Sequence, residues 1–182
     1  MAKQAFSFLE DAGFHLSHAD AARLQYETAQ VFVTIEWDAR SGETNVFVGL
    51  KSKKGEPPDA FSLSDLLGMQ DVDVPERKRP FQVAEENRLG PFLEKLADDM
   101  RVHAQPALAG DRMFFHRLKA FRNAQSQAYM QDMELRRVRS EADKAWHERR
   151  LGDLIGLYTS IASHLTESEK GKLDYAKKHR QQ

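Results

Sequence analysis

From Asp111 to Leu151 the chain runs without a proline or a glycine. Nothing there interrupts an i to i−4 hydrogen-bond ladder, and most of the residues are good helix formers, so the stretch predicts one long helix. Its apolar periodicity is uneven. Phe114, Leu118 and Phe121 form an apolar face at the start, and Val138, Ala142, Ala145 and Trp146 form another near the end. Between them lies NAQSQAYMQDM, residues 123–133, which has three glutamines and little periodicity but carries Tyr129, Met130 and Met133. Methionine adapts to irregular surfaces, and an aromatic beside it on an exposed helix suits a partner groove or a dimer seam. The same residues would also fill gaps against a sheet, and the sequence leaves both readings open.

The charges of this stretch point to water. Glu134, Glu141 and Glu148 recur every seven residues among Arg136, Arg137 and Lys144. Pairs such as Glu141 with Lys144, three apart, support a solvated helix face. Arg136, Arg137, Arg139, Arg149 and Arg150 are numerous, but the acids between them cancel much of the field that a phosphate backbone needs, so nucleic acid is not an expected partner.

Upstream the period changes from helix to strand. In VFVTIEWDARSGETNVFVGL, residues 31–50, Val31, Val33, Ile35 and Trp37 alternate with Phe32, Thr34 and Glu36, and Val46, Val48 and Leu50 alternate with Phe47 and Gly49. That is an antiparallel hairpin with one apolar face, and Phe32 and Phe47 lie on the other. Asp38, Arg40 and Glu43 fall where the hairpin must reverse. Gly42 suits the positive φ of such a turn, and Asp38 can accept hydrogen bonds from the backbone that follows it. A catalytic carboxylate pair needs one acid in an apolar or like-charged setting, which a hairpin tip does not supply. The trio reads as a turn first and as a partner contact second.

The remaining segments complete the outline. A helix is expected over Lys3–Ala12, closed by Gly13; Phe14–Ser17 is extended, and Ala22–Glu27 is a short strand. KSKKGEPPDA, residues 51–60, and QDVDVPERKRP, residues 70–80, read as loops, the second ending in the basic triplet Arg77-Lys78-Arg79. Between them Ser62 or Ser64 can cap a short helix closed by Gly68. Val83–Leu108 reads as a helix with a break or kink at Gly90-Pro91. Leu154, Ile155, Leu157, Tyr158, Ile161 and Leu165 form another helical face. Thr166 and Glu169 match a capping box for a last helix ending near His179, with Leu173 and Ala176 inward.

Together these elements predict an α+β fold: an antiparallel sheet of three to four strands, helices on one face and a long helical C-terminal half. The expected organisation is a single domain over 1–182, with a sheet-containing part at 1–69 and a helical part at 81–182. Its core should include Phe14, Val33, Ile35, Trp37, Val48, Leu93, Leu96, Phe121, Trp146 and Leu154.

Composition then excludes classes of function. The 182 residues include no cysteine, which removes thiol nucleophiles, thiolate metal sites and disulfides and suits a reducing compartment. The opening MAKQAFSFLEDAGF is acidic and lacks a signal-type apolar run, and nowhere do about 18 apolar residues follow one another, so no membrane span is expected and the cytoplasm is the expected location. Residues 1–75 carry 6 Lys/Arg against 12 Asp/Glu, whereas residues 76–182 carry 21 against 16. That split can draw the two parts together or offer two faces to different partners. None of the seven histidines forms an HExxH or His-x3-His pair, and no nucleophile elbow, phosphate-cradling loop or dinucleotide motif is present. The sequence therefore assigns no catalytic residue, no metal ligand and no cofactor.

FSFLEDAGF, the Tyr26-Glu27 strand leading into VFVTIEWDARSGE, and the closing AWHERRLGDLIGLYTSIASHLTESEKGKLDYAKK resemble small uncharacterised bacterial cytosolic proteins, some of them similar to immunity proteins of polymorphic toxin systems. The resemblance spans both ends of the chain and carries no active-site residue with it. It implies a non-enzymatic binding protein whose partner is a protein, possibly a toxin blocked by surface occlusion. The contact residues would come from Asp38, Arg40 and Glu43 or from Tyr129, Met130 and Met133. Two alternatives are a homodimeric adaptor that uses the long helix and an enzyme whose site is assembled from residues distant in sequence.

Overall fold

A computed structural model describes residues 1–38, 40–52, 59–72 and 86–179. The basic triplet at 77–79 and the expected helix start at Val83 lie outside the described residues. The chain divides into two compact units, Met1–Arg122 and Asn123–Gln182, with the boundary inside one helix.

The first unit is built on period-two alternation. Five strands, β1 (His15–Ala19), β2 (Arg23–Glu27), β3 (Val31–Asp38), β4 (Glu43–Leu50) and β5 (Ala60–Ser62), form an antiparallel sheet in chain order. The fold class is the expected one, with one strand more than the three to four predicted. The extra strand is short: β5 has three residues, too few to show a period, and is defined by pairing with β4, where Phe61 lies opposite Val48. At the other edge Ser17 interrupts the register of β1 against β2 as a bulge and donates from Oγ to the Gln25 carbonyl, 3.1 Å.

Register makes the core face a set of cross-strand rows. Tyr26, Val33, Val48 and Phe61 form one, each no more than 2% exposed; Leu24, Ile35 and Val46 form the next. Short helices α1 (Ala2–Ala5) and α2 (Phe8–Asp11) replace the single N-terminal helix predicted, and Phe6 between them and Leu9 of α2 enter this core. Helices α3 (Leu63–Met69), α4 (Glu86–His103) and α5 (Gln105–Leu108) add Leu66, Leu67, Leu93, Leu96, Met100 and Leu108. Pro91 is the sixth residue of α4, which is helical on both sides of it.

Helix ends follow local chemistry. Ser62 caps α3 and forms a reciprocal capping box with Asp65. Asp71, at φ 54°, rather than Gly68 takes the left-handed position that closes it, and the Val72 N–H donates to the Leu67 carbonyl. Asp111 caps α6 (Arg112–His147) by accepting from the Met113 and Phe114 N–H groups.

The second unit contains α6 from Asn123 onward, α7 (Leu151–Ser160) and α8 (Glu167–His179). Val138, Ala142, Ala145, Leu154, Tyr158, Ile161, Leu173 and Ala176 form its core. The Thr166–Glu169 capping box is present in both directions. Three core assignments need correction. Trp146 and Phe121 are only partly buried, and Trp146 stands edge-on to Tyr175 with ring centroids 5.4 Å apart. Trp37 is 36% exposed, because it borders a cleft between the hairpin end of the sheet and α4.

Candidate functional site

The hairpin tip is organised around Asp38. Its carboxylate accepts from the Arg40 N–H at 2.8 Å and from the Ser41 N–H at 3.4 Å, and its carbonyl accepts from Gly42, which has φ 71°. The Arg40 N–H, followed by Ser41, holds the Asp38 carboxyl below the usual carboxylate range. Asp38 and Glu43 are cross-strand partners, and the Glu43 N–H donates to Ser41 Oγ. The tip is exposed, and its leading carboxylate is committed to holding the turn. This geometry keeps Asp38 ionised at neutral pH, the opposite of what a general acid needs.

Tyr129, Met130 and Met133 share a different setting. They are 64%, 66% and 47% exposed. Residues 129 and 133 are four apart and 130 and 133 three apart, so the side chains lie within one arc of α6. At 3.6 residues per turn that arc is centred roughly 150° around the helix from Leu135, Val138, Ala142 and Ala145, which pack in the core of the second unit. The gap-filling reading is therefore not met in this unit: the three apolar side chains face outward.

Charges around the patch are satisfied locally. Arg136 pairs with Asp132 at 2.9 Å, and Arg137 bonds both Glu134 and Glu141. These pairs raise Arg137, and in return Glu134 lies below the carboxylate range. Gln131 Nε2 meets His164 Nε2 at 2.9 Å, tying α6 to the turn after α7. Neutralised neighbours leave an aromatic and two thioethers as the distinctive surface.

Among the described residues no group of three or more His, Asp or Glu is placed to hold a metal ion, and no helix is long and apolar enough to cross a membrane. His147 Nδ1 lies 2.8 Å from the Asp143 carbonyl of its own helix. Sequence patterns passed over Thr44, which is 0% exposed yet has a hydroxyl without a hydrogen-bond partner, opposite Trp37 on β3. The available signal was a hydroxyl residue in phase with Val46 and Val48.

Compared with protein-family models, curated proteins and solved structures, the chain finds no match.

Proposed function

We propose that this chain is a non-enzymatic binding protein of the bacterial cytoplasm that occludes the surface of a protein partner, in the manner of an immunity or antitoxin-like inhibitor. The observation that carries this reading is the outward patch of Tyr129, Met130 and Met133. Tyrosine and methionine supply large, adaptable contact area, and their neighbouring charges are already paired, so docking there desolvates few free ions. The hairpin tip with Asp38, Arg40 and Glu43, on the first unit, is the alternative contact surface in this reading, and its charges would act on the rate of encounter. No reactive group is required.

The same patch supports a second reading, a homodimer, because an apolar helical arc can pack against its own copy about a two-fold axis. One experiment separates them. Tagged wild type and a Tyr129→Ser/Met130→Ser/Met133→Ser variant are used to capture host proteins, and both pure proteins are sized by light scattering over a hundredfold concentration range. A stoichiometric partner captured by wild type and lost by the variant supports occlusion. A concentration-dependent dimer lost by the variant supports the adaptor. A partner retained equally by both proteins overturns the assignment of this patch.

A further inference from the structure

We propose that the first unit binds a small, uncharged, largely apolar molecule carrying one hydrogen-bond-accepting oxygen, in a cleft at the hairpin end of its sheet. The cleft encloses about 370 Å³, within the range of sites that take small organic ligands. Its walls are Leu24, Ile35, Trp37, Leu89 and Leu93, from β2, β3 and α4.

Cross-strand register explains why a cavity forms there. In the rows through Val33 and Ile35 the members on β2, β3 and β4 are no more than 7% exposed. The next row on the same face holds Ala22, whose carbonyl accepts from the Trp37 N–H, then Trp37 and Thr44. Trp37 is 36% exposed whereas Thr44 beside it is buried, so the third row is covered at Thr44 and open at Trp37. A large aromatic left partly open beside leucines is apolar surface that a ligand would remove from water.

Thr44 supplies the polar requirement. It borders the cleft, is fully buried, and its hydroxyl has no partner. A buried hydroxyl left unpaired is costly, and an acceptor oxygen entering the cleft gives it a partner. Tyr26 and Thr34 also have unpaired hydroxyls, but neither borders this cleft.

The charges at the mouth argue for a neutral ligand. Asp20 already accepts from the Ala22 and Arg23 N–H groups and from His18. Arg23 turns its guanidinium to Gln25 and Glu36, on the other face of the sheet. Lys3 and Asp20, of opposite sign, both line the mouth, so the lining is not of one charge alone.

The test uses the full chain with Trp146→Phe, which leaves Trp37 as the sole tryptophan. The probes are 2-acetylnaphthalene, which has a ketone oxygen, and 2-ethylnaphthalene, its hydrocarbon counterpart; binding is followed by quenching of Trp37 fluorescence. Both should quench saturably. Thr44→Val should weaken the ketone roughly tenfold and leave the hydrocarbon unchanged, the loss of one hydrogen bond. Thr44→Ser should retain the ketone. Ala22→Phe, at an exposed position on the same row, should abolish both by filling the cleft. Absence of saturable quenching, an equal effect of Thr44→Val on both probes, or full binding by Ala22→Phe overturns the proposal. If circular dichroism shows Thr44→Val to be unfolded, the Ala22→Phe and Thr44→Ser results decide it.

Discussion

The ring of Phe32 lies across from Gly49 on the neighbouring strand and fills the space a side chain there would need. A Cβ built on Gly49 would stand 2.5 Å from Phe32 Cζ and 2.5 Å from the Asp59 carbonyl oxygen. The first contact can yield by ring movement, whereas the second is backbone. Gly49→Ala should therefore destabilise by about 1–3 kcal/mol, the range for overpacking. Adding Phe32→Leu should recover only part of that loss, because the carbonyl remains. Urea unfolding of the four proteins of this double-mutant cycle checks both statements.

Left-handed residues at helix ends give a second prediction of opposite signs. Arg149 closes α6 at φ 60°, with the Arg150 N–H donating to the Ala145 carbonyl, and Gly110 closes α5 at φ 75° in the same pattern. Only at Gly110 is the side chain already absent. Arg149→Gly should stabilise by about 1 kcal/mol, and Gly110→Ala should cost about as much. The loss at Gly110 should be at the upper end, since its Cβ would meet Val31 Cγ2 and Gln30 Oε1 at 3.3 Å. Thermal melts followed by circular dichroism give both differences.

Asp65 joins two interactions that should fail together. Its carboxylate accepts from the Ser62 N–H at 2.9 Å and from Arg122 at 2.9 Å, while Arg122 also reaches the Ala60 carbonyl and stacks 4.1 Å over Phe61. Ser62→Ala and Arg122→Lys should each cost about 1 kcal/mol, the first by removing a cap and the second because an ammonium lacks the planar fork. Their effects should be non-additive by a measurable fraction, which denaturant titration of the double variant would show.

Acid should act on Glu27. The Lys51 ammonium beside it, against the opposing effect of burial and with help from Gln25 and Ser17, holds its carboxyl below the usual glutamate range. A depressed native pKa contributes stability above the unfolded value and loses it as pH falls through the native value. Glu27→Gln should therefore unfold at lower urea than wild type at pH 7. The two midpoints should converge as pH falls below the ordinary glutamate range, and a gap that persists at pH 2 would contradict the assignment.

Much of this molecule could be read from local pattern. Two-residue alternation in 31–50 marks β3 and β4, freedom from glycine and proline marks α6, and Thr166 with Glu169 marks the start of α8, because each signal depends on neighbours within a few positions. Asp38 was likewise legible as a turn residue, since its partners are the next two or three backbone amides. Non-local contact decided the rest. Three residues became β5 only because β4 offered them an edge, and Trp37, in phase with the core, is partly open because it borders a cleft between the sheet and α4. Whether Tyr129, Met130 and Met133 face inward or outward depends on where Val138 and its neighbours find their packing, which a weak period cannot encode. The unpaired hydroxyl of Thr44 is of the same kind: an ordinary strand residue until its surroundings bury it without a partner.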